Sequence, residues 1–353
     1  MKQATGRLAP GDTRPGIALG LHGFGRIGRA IVRIAADRRA GSVVAVNEKH
    51  ADSANLRYLL RYDSVYGRWG HQVAAHPAGW TIDGIPVRVT HLPRFDEVGW
   101  GQAGARVVVD ASTADIGRAD YERVLAEGVS TVVVTRISDA ADITLIPGVN
   151  EDDYDPARHR IVSAGTCDGM ALAAVLGPID RRYGIAGGSI TTLHPALSYQ
   201  NMLDQPLPPL PKEYAAAYAL GRASGTNLIA KETSAVPAVE AVLPDMAGRL
   251  HAMSFRVPTQ AVSAAAVWLR LHRQADVREL ESLFADRPNA IVGYTEDPVV
   301  STDIIGVGQA AVVGGAMTAV MDDGFSLRLT VWYDNEWSYA AHVLRIIGQV
   351  AAP

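Results

Sequence analysis

The sequence predicts an α/β chain of two domains: one with a mostly parallel sheet, then an α+β domain with a mostly antiparallel sheet. Three observations lead there. A glycine-rich turn joins the first strand to the first helix. Short apolar runs alternate with helical stretches through the first half, the pattern of a parallel sheet. Longer strand-like runs dominate the second half, which suits antiparallel pairing. At 353 residues the chain also exceeds one ordinary core.

The elements justify themselves in order. Ile17-Ala18-Leu19-Gly20-Leu21 reads as a strand, Gly23 to Gly28 as a turn, and Ala30 to Ala36 as an apolar-periodic helix. A second strand, Val43 to Val46, ends at Asn47-Glu48. Val107 to Asp110 and Thr131 to Val134 are further short buried strands, separated by a helix from Arg118 to Glu127. After Cys167 a helix from Asp168 to Arg182 is expected to be interrupted at Pro178. Strands follow at Ser189–His194, Met253–Val257, Val262–Leu271, Ala311–Met321 and Phe325–Trp332, and the chain closes on a helix from Glu336 to Val350. Four prolines between Pro206 and Pro211 predict a stiff extended loop. The resulting domain plan is a flexible tail at 1–15, a nucleotide domain of 16–166 with 334–353, and a catalytic domain of 167–333.

Composition narrows the function. With 48% hydrophobic and 20% charged residues the chain can build two cores. A net charge of −4 argues against a nucleic-acid or membrane-surface role. No apolar run reaches the ~18–20 residues of a membrane helix. The N-terminus has no apolar signal core, so a cytoplasmic location is expected. A single cysteine excludes a disulfide framework and a thiolate-rich metal site, and no metal is expected.

The order strand, glycine turn, helix, strand, acid is the dinucleotide-binding (Rossmann) unit. Gly23 permits the tight turn, Gly25 lets the backbone approach a pyrophosphate, and Gly28 allows the helix to pack closely on the strand. Glu48 stands about 20 residues further on, where a carboxylate binds ribose hydroxyls and repels a 2′-phosphate. The cofactor is therefore expected to be NAD. Cys167 sits where a strand gives way to a helix, whose N-terminus favours a thiolate. A thiolate converts an aldehyde into a hydride donor, and oxidation leaves a thioester. His194, at a strand end, is the expected general base and ion-pair partner.

Four further segments, GFGRIGR (Gly23–Arg29), FRVPT (Phe255–Thr259), GYTEDPVVS (Gly293–Ser301) and WYDNEW (Trp332–Trp337), carry a resemblance across nearly the whole chain. The sequence resembles the phosphorylating glyceraldehyde-3-phosphate dehydrogenase family, nearer to its erythrose-4-phosphate dehydrogenase branch through Asn47-Glu48 and His194–Asp204. The resemblance implies that Arg26 and Ile27 line the pyrophosphate turn, Thr135 lies near the nicotinamide, and Asn335 holds its carboxamide. It implies that Arg256 binds the distal phosphate of a small anionic aldehyde, while Thr166 and Thr233 contact the attacking inorganic phosphate. It also implies a homotetramer, with Arg222 to Ile229 as a subunit-contact segment.

The departures from the family cluster at the chemistry. Asp168-Gly169-Met170 replaces the usual Thr-Thr-Asn after the cysteine, Ser234 replaces a glycine after the anion-binding threonine, and His22 replaces an asparagine before Gly23. Asp168 favours the helix start but opposes a neighbouring thiolate, and it repels a phosphate where the family binds one. The first expectation is NAD-dependent oxidation of an anionic aldehyde to an acyl phosphate. The alternatives are hydrolytic release, from erythrose 4-phosphate or a phosphonate-type aldehyde, and a decayed nucleotide-binding regulator.

Overall fold

The computed structural model describes residues 16–207, 218–284, 291–321 and 323–351. The expected tail at 1–15 and the prolines at 208, 209 and 211 lie outside the described residues. The chain divides into two compact units, one comprising the described residues up to Thr166 plus those from Tyr339 onward, the other Cys167–Ser338.

The first unit runs β1 (Ala18–His22), α1 (Arg26–Arg38), β2 (Ser42–Asn47), α2 (Ser53–Arg61), β3 (Tyr62–Asp63), β4 (Gly67–Arg68), β5 (Val73–His76), β6 (Gly79–Ile82), β7 (Ile85–Thr90), β8 (Val107–Asp110), α3 (Arg118–Ala126), β9 (Thr131–Val134), β10 (Ile143–Thr144) and β11 (Ile161–Ser163). Its nine-stranded sheet has the order β10-β11-β9-β8-β1-β2-β7-β6-β5. All pairs from β10 to β7 are parallel, and β7-β6-β5 is an antiparallel meander. The central strands are buried throughout, as valine runs without alternation require. The strand order reverses beside β1, between β2 and β8, and open sheets of this kind bind ligands at the carboxyl ends of such strands.

The second unit runs α4 (Cys167–Tyr183), β12 (Ile185–Pro195), β13 (Ile229–Lys231), α5 (Ala235–Glu240), β14 (Leu250–Val257), β15 (Ser263–Leu271), α6 (Val277–Phe284), β16 (Val292–Thr295), β17 (Ala311–Gly314), β18 (Ala319–Val320) and β19 (Ser326–Tyr333). Its eight-stranded sheet is ordered β13-β14-β12-β15-β19-β17-β16, with β18 on β19. Five of its pairs are antiparallel, while β12 with β14 and β16 with β17 are parallel. The last helix, α7, spans Trp337–Val350.

Two expectations need correction. Pro178 does not interrupt α4, which is continuous for 17 residues. Proline costs a helix interior about 3 kcal/mol, and near-complete burial of Met170 to Ile179 offsets that. The long strand expected at Ala311–Met321 is broken by a 3₁₀ turn at Gly315–Met317 into β17 and β18. Among the described residues no helix is long and apolar enough to cross a membrane.

A side-chain clasp ties α1 to the β6–β7 turn. The His71 ring meets Asp37 through Nε2 at 2.9 Å and Asp83 through Nδ1, and Trp69 Nε1 donates to the same Asp37 oxygen at 2.9 Å. Partial burial disfavours the charged ring, but the two carboxylates outweigh it and raise the His71 pKa. The clasp's stabilisation is thus complete below the unfolded histidine range, near 6.5, and is lost as pH rises through the elevated folded value. His71→Ala is expected to lower the urea midpoint more at pH 6 than at pH 9. Equal losses at both values would refute the charged clasp.

Candidate active site

The glycine turn sorts into two kinds of glycine. Gly23 has φ +87°, and a Cβ there would stand 2.8 Å from the Ala111 backbone; at Gly28 it would stand 2.3 Å from the Gly23 carbonyl oxygen. Packing within the chain therefore demands both. Gly25 is exposed, has φ −68° and a Cβ there would meet nothing within 4 Å, so no internal contact demands it. It also stands as the N-cap of α1, where no side chain caps the helix. A bare backbone edge at a helix N-terminus suits a dinucleotide phosphate.

Other nucleotide-site residues are tied into the turn. Glu48 accepts from Phe24 N–H at 2.9 Å through Oε2 and from His50 N–H at 3.0 Å through Oε1, at the end of β2. Each carboxylate oxygen keeps capacity for a ribose hydroxyl. His22 pairs through Nδ1 with the buried Asn47 amide at 3.1 Å. Burial lowers its pKa, so it enters the turn as a neutral ring. Arg26 grips Asp63 with two N–H groups at 2.5 and 3.2 Å, and Ile27 is half-buried beside it in the first turn of α1. Thr135 donates its hydroxyl to the Asp110 carbonyl at 3.2 Å. The fully buried Asp110 carboxylate accepts from Arg136 at 2.8 Å and Tyr121 at 2.7 Å, which anchors the end of β8.

The reactive centre lies within the second unit. Cys167 opens α4, and His194 faces inward near the end of β12. Sγ of Cys167 is 3.7 Å from His194 Nε2 and 3.5 Å from Asp168 Oδ1, and Nε2 to Oδ1 is 4.0 Å. The His194 Nδ1–H donates to the Pro195 carbonyl at 2.9 Å, leaving Nε2 as the acceptor toward sulfur. Tyr333, buried at the end of β19, donates to Asp168 Oδ1 at 2.9 Å and holds the carboxylate beside the thiol.

Electrostatics here correct the expected thiolate–imidazolium pair. Burial, then the Asp168 charge, then a thiol hydrogen bond to that carboxylate push the Cys167 pKa well up. The Asp168 backbone N–H and the Arg256 charge oppose this and lose. Burial also lowers the His194 pKa against the pull of Asp168. Both shifts favour neutral thiol and neutral imidazole over the ion pair. The helix N-terminus, whose benefit is about 0.3–1 kcal/mol, is too weak to reverse a nearby buried carboxylate.

A candidate anion-binding group adjoins. Arg256 is the register partner of His194 across β12 and β14, and of Ile229 across β13 and β14. It is 7% exposed, donates to the Tyr199 hydroxyl at 3.2 Å, and has Nε and Nη1 buried with no partner among the described residues. A buried unpaired donor costs about 1–3 kcal/mol, so two on one guanidinium mark a place for an anion. Thr233 accepts from Ala235 N–H at 3.1 Å at the start of α5, which leaves its hydroxyl proton to donate outward; Ser234 beside it is exposed. Thr166 belongs to the first unit and Asn335 to the second. The Asp334 carboxylate, bonded to Gly306, Glu336 and Trp337 N–H groups, fixes the loop carrying Asn335, whose amide oxygen is buried with no partner among the described residues.

The second unit thus gathers Cys167, Asp168, His194 and Arg256, and it adds three residues the sequence reading missed. Tyr333 lies inside the WYDNEW segment, which was its available signal. Tyr199 and Lys231, whose charge reaches His194, carry no local motif.

Residues 17–144 match the family model described as glyceraldehyde 3-phosphate dehydrogenase, NAD binding domain, and residues 166–335 match its C-terminal domain. The chain is 33% identical to "Glyceraldehyde-3-phosphate dehydrogenase 2" of Streptomyces avermitilis over 92% of its length and 95% of the relative's. It is 32% identical to "Glyceraldehyde-3-phosphate dehydrogenase 1" of Bacillus subtilis over 95% and 98%. With "Glyceraldehyde-3-phosphate dehydrogenase, cytosolic" of Taxus baccata the identity is 35% over 94% and 96%.

Two outcomes are expected. Gly25→Ala should keep stability within about 1 kcal/mol while weakening NAD binding at least tenfold by calorimetry; a loss of stability without a loss of affinity would refute the ligand-facing assignment. Asp168→Asn should shift the pH profile of Cys167 alkylation downward by about one unit or more, read cleanly because the chain has a single cysteine. An unmoved profile would show that the carboxylate does not govern the thiol.

Proposed function

The chain belongs to the glyceraldehyde-3-phosphate dehydrogenase family and is an NAD-dependent dehydrogenase of that type, and within it we propose oxidation of a small anionic aldehyde through a thioester on Cys167. The observation that carries this reading is Arg256, buried with two unpaired donors and level with His194. Arg256 and Tyr199 would seat the anionic end of the substrate, which orients its carbonyl toward sulfur.

Cys167 gives its proton to His194 Nε2 as Sγ attacks the carbonyl carbon, forming a C–S bond and an alkoxide, which takes that proton from His194 to become a hydroxyl. NAD, when bound, supplies the hydride acceptor for the carbon. His194, having passed on its first proton, takes the hydroxyl proton, the C=O reforms, and a thioester remains. In the nucleotide unit Gly23, Gly25, Gly28 and Arg26 would frame the pyrophosphate, Glu48 the ribose, and Thr135 the nicotinamide end.

The family pattern leads to acyl phosphate, with Thr233 on inorganic phosphate. Asp168 favours a second reading. Its carboxylate, held against Sγ by Tyr333, would oppose an attacking phosphate but could accept a hydrogen bond from an attacking water. After His194 releases the hydroxyl proton to solvent, it takes a proton from a water whose oxygen attacks the thioester carbon; the C–S bond breaks, the sulfur regains that proton from His194, and the carboxylic acid leaves as a carboxylate with its proton lost to solvent. We favour this hydrolytic release. A substrate of the erythrose 4-phosphate or phosphonate-aldehyde kind fits the same pocket.

We also propose a homotetramer acting in the cytoplasm, in keeping with the cytosolic relatives. Leu193, Met253 and Trp268 lie on one face of neighbouring strands, 42–48% exposed, an apolar surface that a second copy would cover.

The test is NADH formation from a panel of phosphorylated and phosphonate aldehydes, with and without inorganic phosphate. Turnover indifferent to phosphate is expected, and strict phosphate dependence would overturn hydrolysis in favour of the acyl phosphate. Cys167→Ala should abolish turnover, and Arg256→Met should lower kcat/KM at least ~30-fold for anionic aldehydes. A fully active Cys167→Ala enzyme would end the thioester mechanism.

A further inference from the structure

The three groups around the nucleophile are also three donors of different kinds on one small triangle. We propose that Cys167 Sγ, Asp168 carboxylate and His194 Nε2 form a three-ligand site for a zinc-class divalent ion that caps the nucleophile reversibly. Among the described residues this is the one set of three His, Cys, Asp or Glu side chains whose donor atoms converge within 4.8 Å.

The geometry argues for coordination. The triangle edges are 3.5, 3.7 and 4.0 Å. A tetrahedral zinc with ordinary Zn–S, Zn–N and Zn–O bonds separates such donors by about 3.3–3.6 Å. Rotamer adjustments of a few tenths of an ångström close that difference. Sulfur, imidazole and carboxylate together suit zinc or cobalt better than the hard ions calcium and magnesium. Three protein ligands leave a fourth position, which water would fill.

The outer partners of a metal site are present as well. Ligating histidines donate their second ring N–H to a carbonyl or carboxylate, and His194 Nδ1 already does so to Pro195 O. The carboxylate ligand is held by the buried Tyr333 hydroxyl. Two donors sit in the first turn of α4 and the third on β12, elements fixed by burial rather than loops.

Charge closes too. Binding displaces the thiol proton to solvent as the S–metal bond forms. Thiolate and carboxylate then neutralise the 2+ ion, so nearby Arg256 faces no net cation. Most of the family carries threonine at the Asp168 position, so the third ligand is a feature of this chain's departure. While the metal holds the sulfur lone pair, Cys167 cannot attack a carbonyl. That inhibition rests on the proposed function, whereas binding does not.

The experiment uses the full chain, stripped with EDTA. Co²⁺ titration should give a sulfur-to-cobalt charge-transfer absorption and tetrahedral visible bands at one ion per chain, erased by Zn²⁺. Saturating Zn²⁺ should slow alkylation of the single cysteine at least tenfold, with EDTA restoring it. Asp168→Thr, the family's own residue and checked by thermal melting, should stay alkylatable yet need at least ~10-fold more Zn²⁺ for protection. Absent charge-transfer absorption, or an Asp168→Thr protein protected as well as the parent, would overturn the proposal. Aldehyde turnover is assayed separately, so active enzyme without cobalt absorption defeats the metal site alone, and cobalt absorption without turnover defeats only the catalytic reading.

Discussion

The parallel pairing of β12 with β14 is the constraint on which the site depends. It sets His194 level with Arg256, so an imidazole and a guanidinium share one rung of one sheet. Strand alternation turns both inward with Thr192 and Ser254, whose hydroxyls meet at 2.8 Å. A slip of one residue would send His194 to the open face now occupied by Leu193, and Arg256 to that of Phe255. The antiparallel neighbour β15 fixes β12 from the other side, and β19 then delivers Tyr333 to the buried side of the same sheet.

Against this frame the first turn of α4 places Cys167 and Asp168. A carboxylate beside a thiol is an electrostatic conflict, and the structure sustains it by hydrogen bonding. Tyr333 satisfies one carboxylate oxygen, and burial of α4 along its length holds the turn in place. The outcome is a nucleophile favoured as thiol.

Much of the fold was legible locally. Valine runs gave β2, β8 and β9, and the spacing of glycines gave the turn before α1, because the physical demands there are short-range: φ +87° at Gly23 and the close approach of Gly28 to a carbonyl. The short elements from α2 to β7 were missed. Asp52 caps α2 by accepting from Asn55 N–H at 2.8 Å, a signal that was available. The meander β5–β7 has half-exposed strands of mixed composition, which give weak periodicity. Pro178 was read as a break because local rules know the lost hydrogen bond and not the burial that outweighs it.

The sequence by itself determined the nucleotide turn, the pairing of a single cysteine with a histidine at a strand end, and the presence of a carboxylate at residue 168. Those are matters of residue type and spacing. Only the tertiary structure decided which way Asp168 points, that Tyr333 holds it against sulfur, and that Arg256 keeps two donors unspent. Burial and electrostatic energy at a few ångströms depend on groups brought in from distant parts of the chain, and no local pattern encodes their sum. The surroundings that push the Cys167 pKa up are therefore assembled only by the fold.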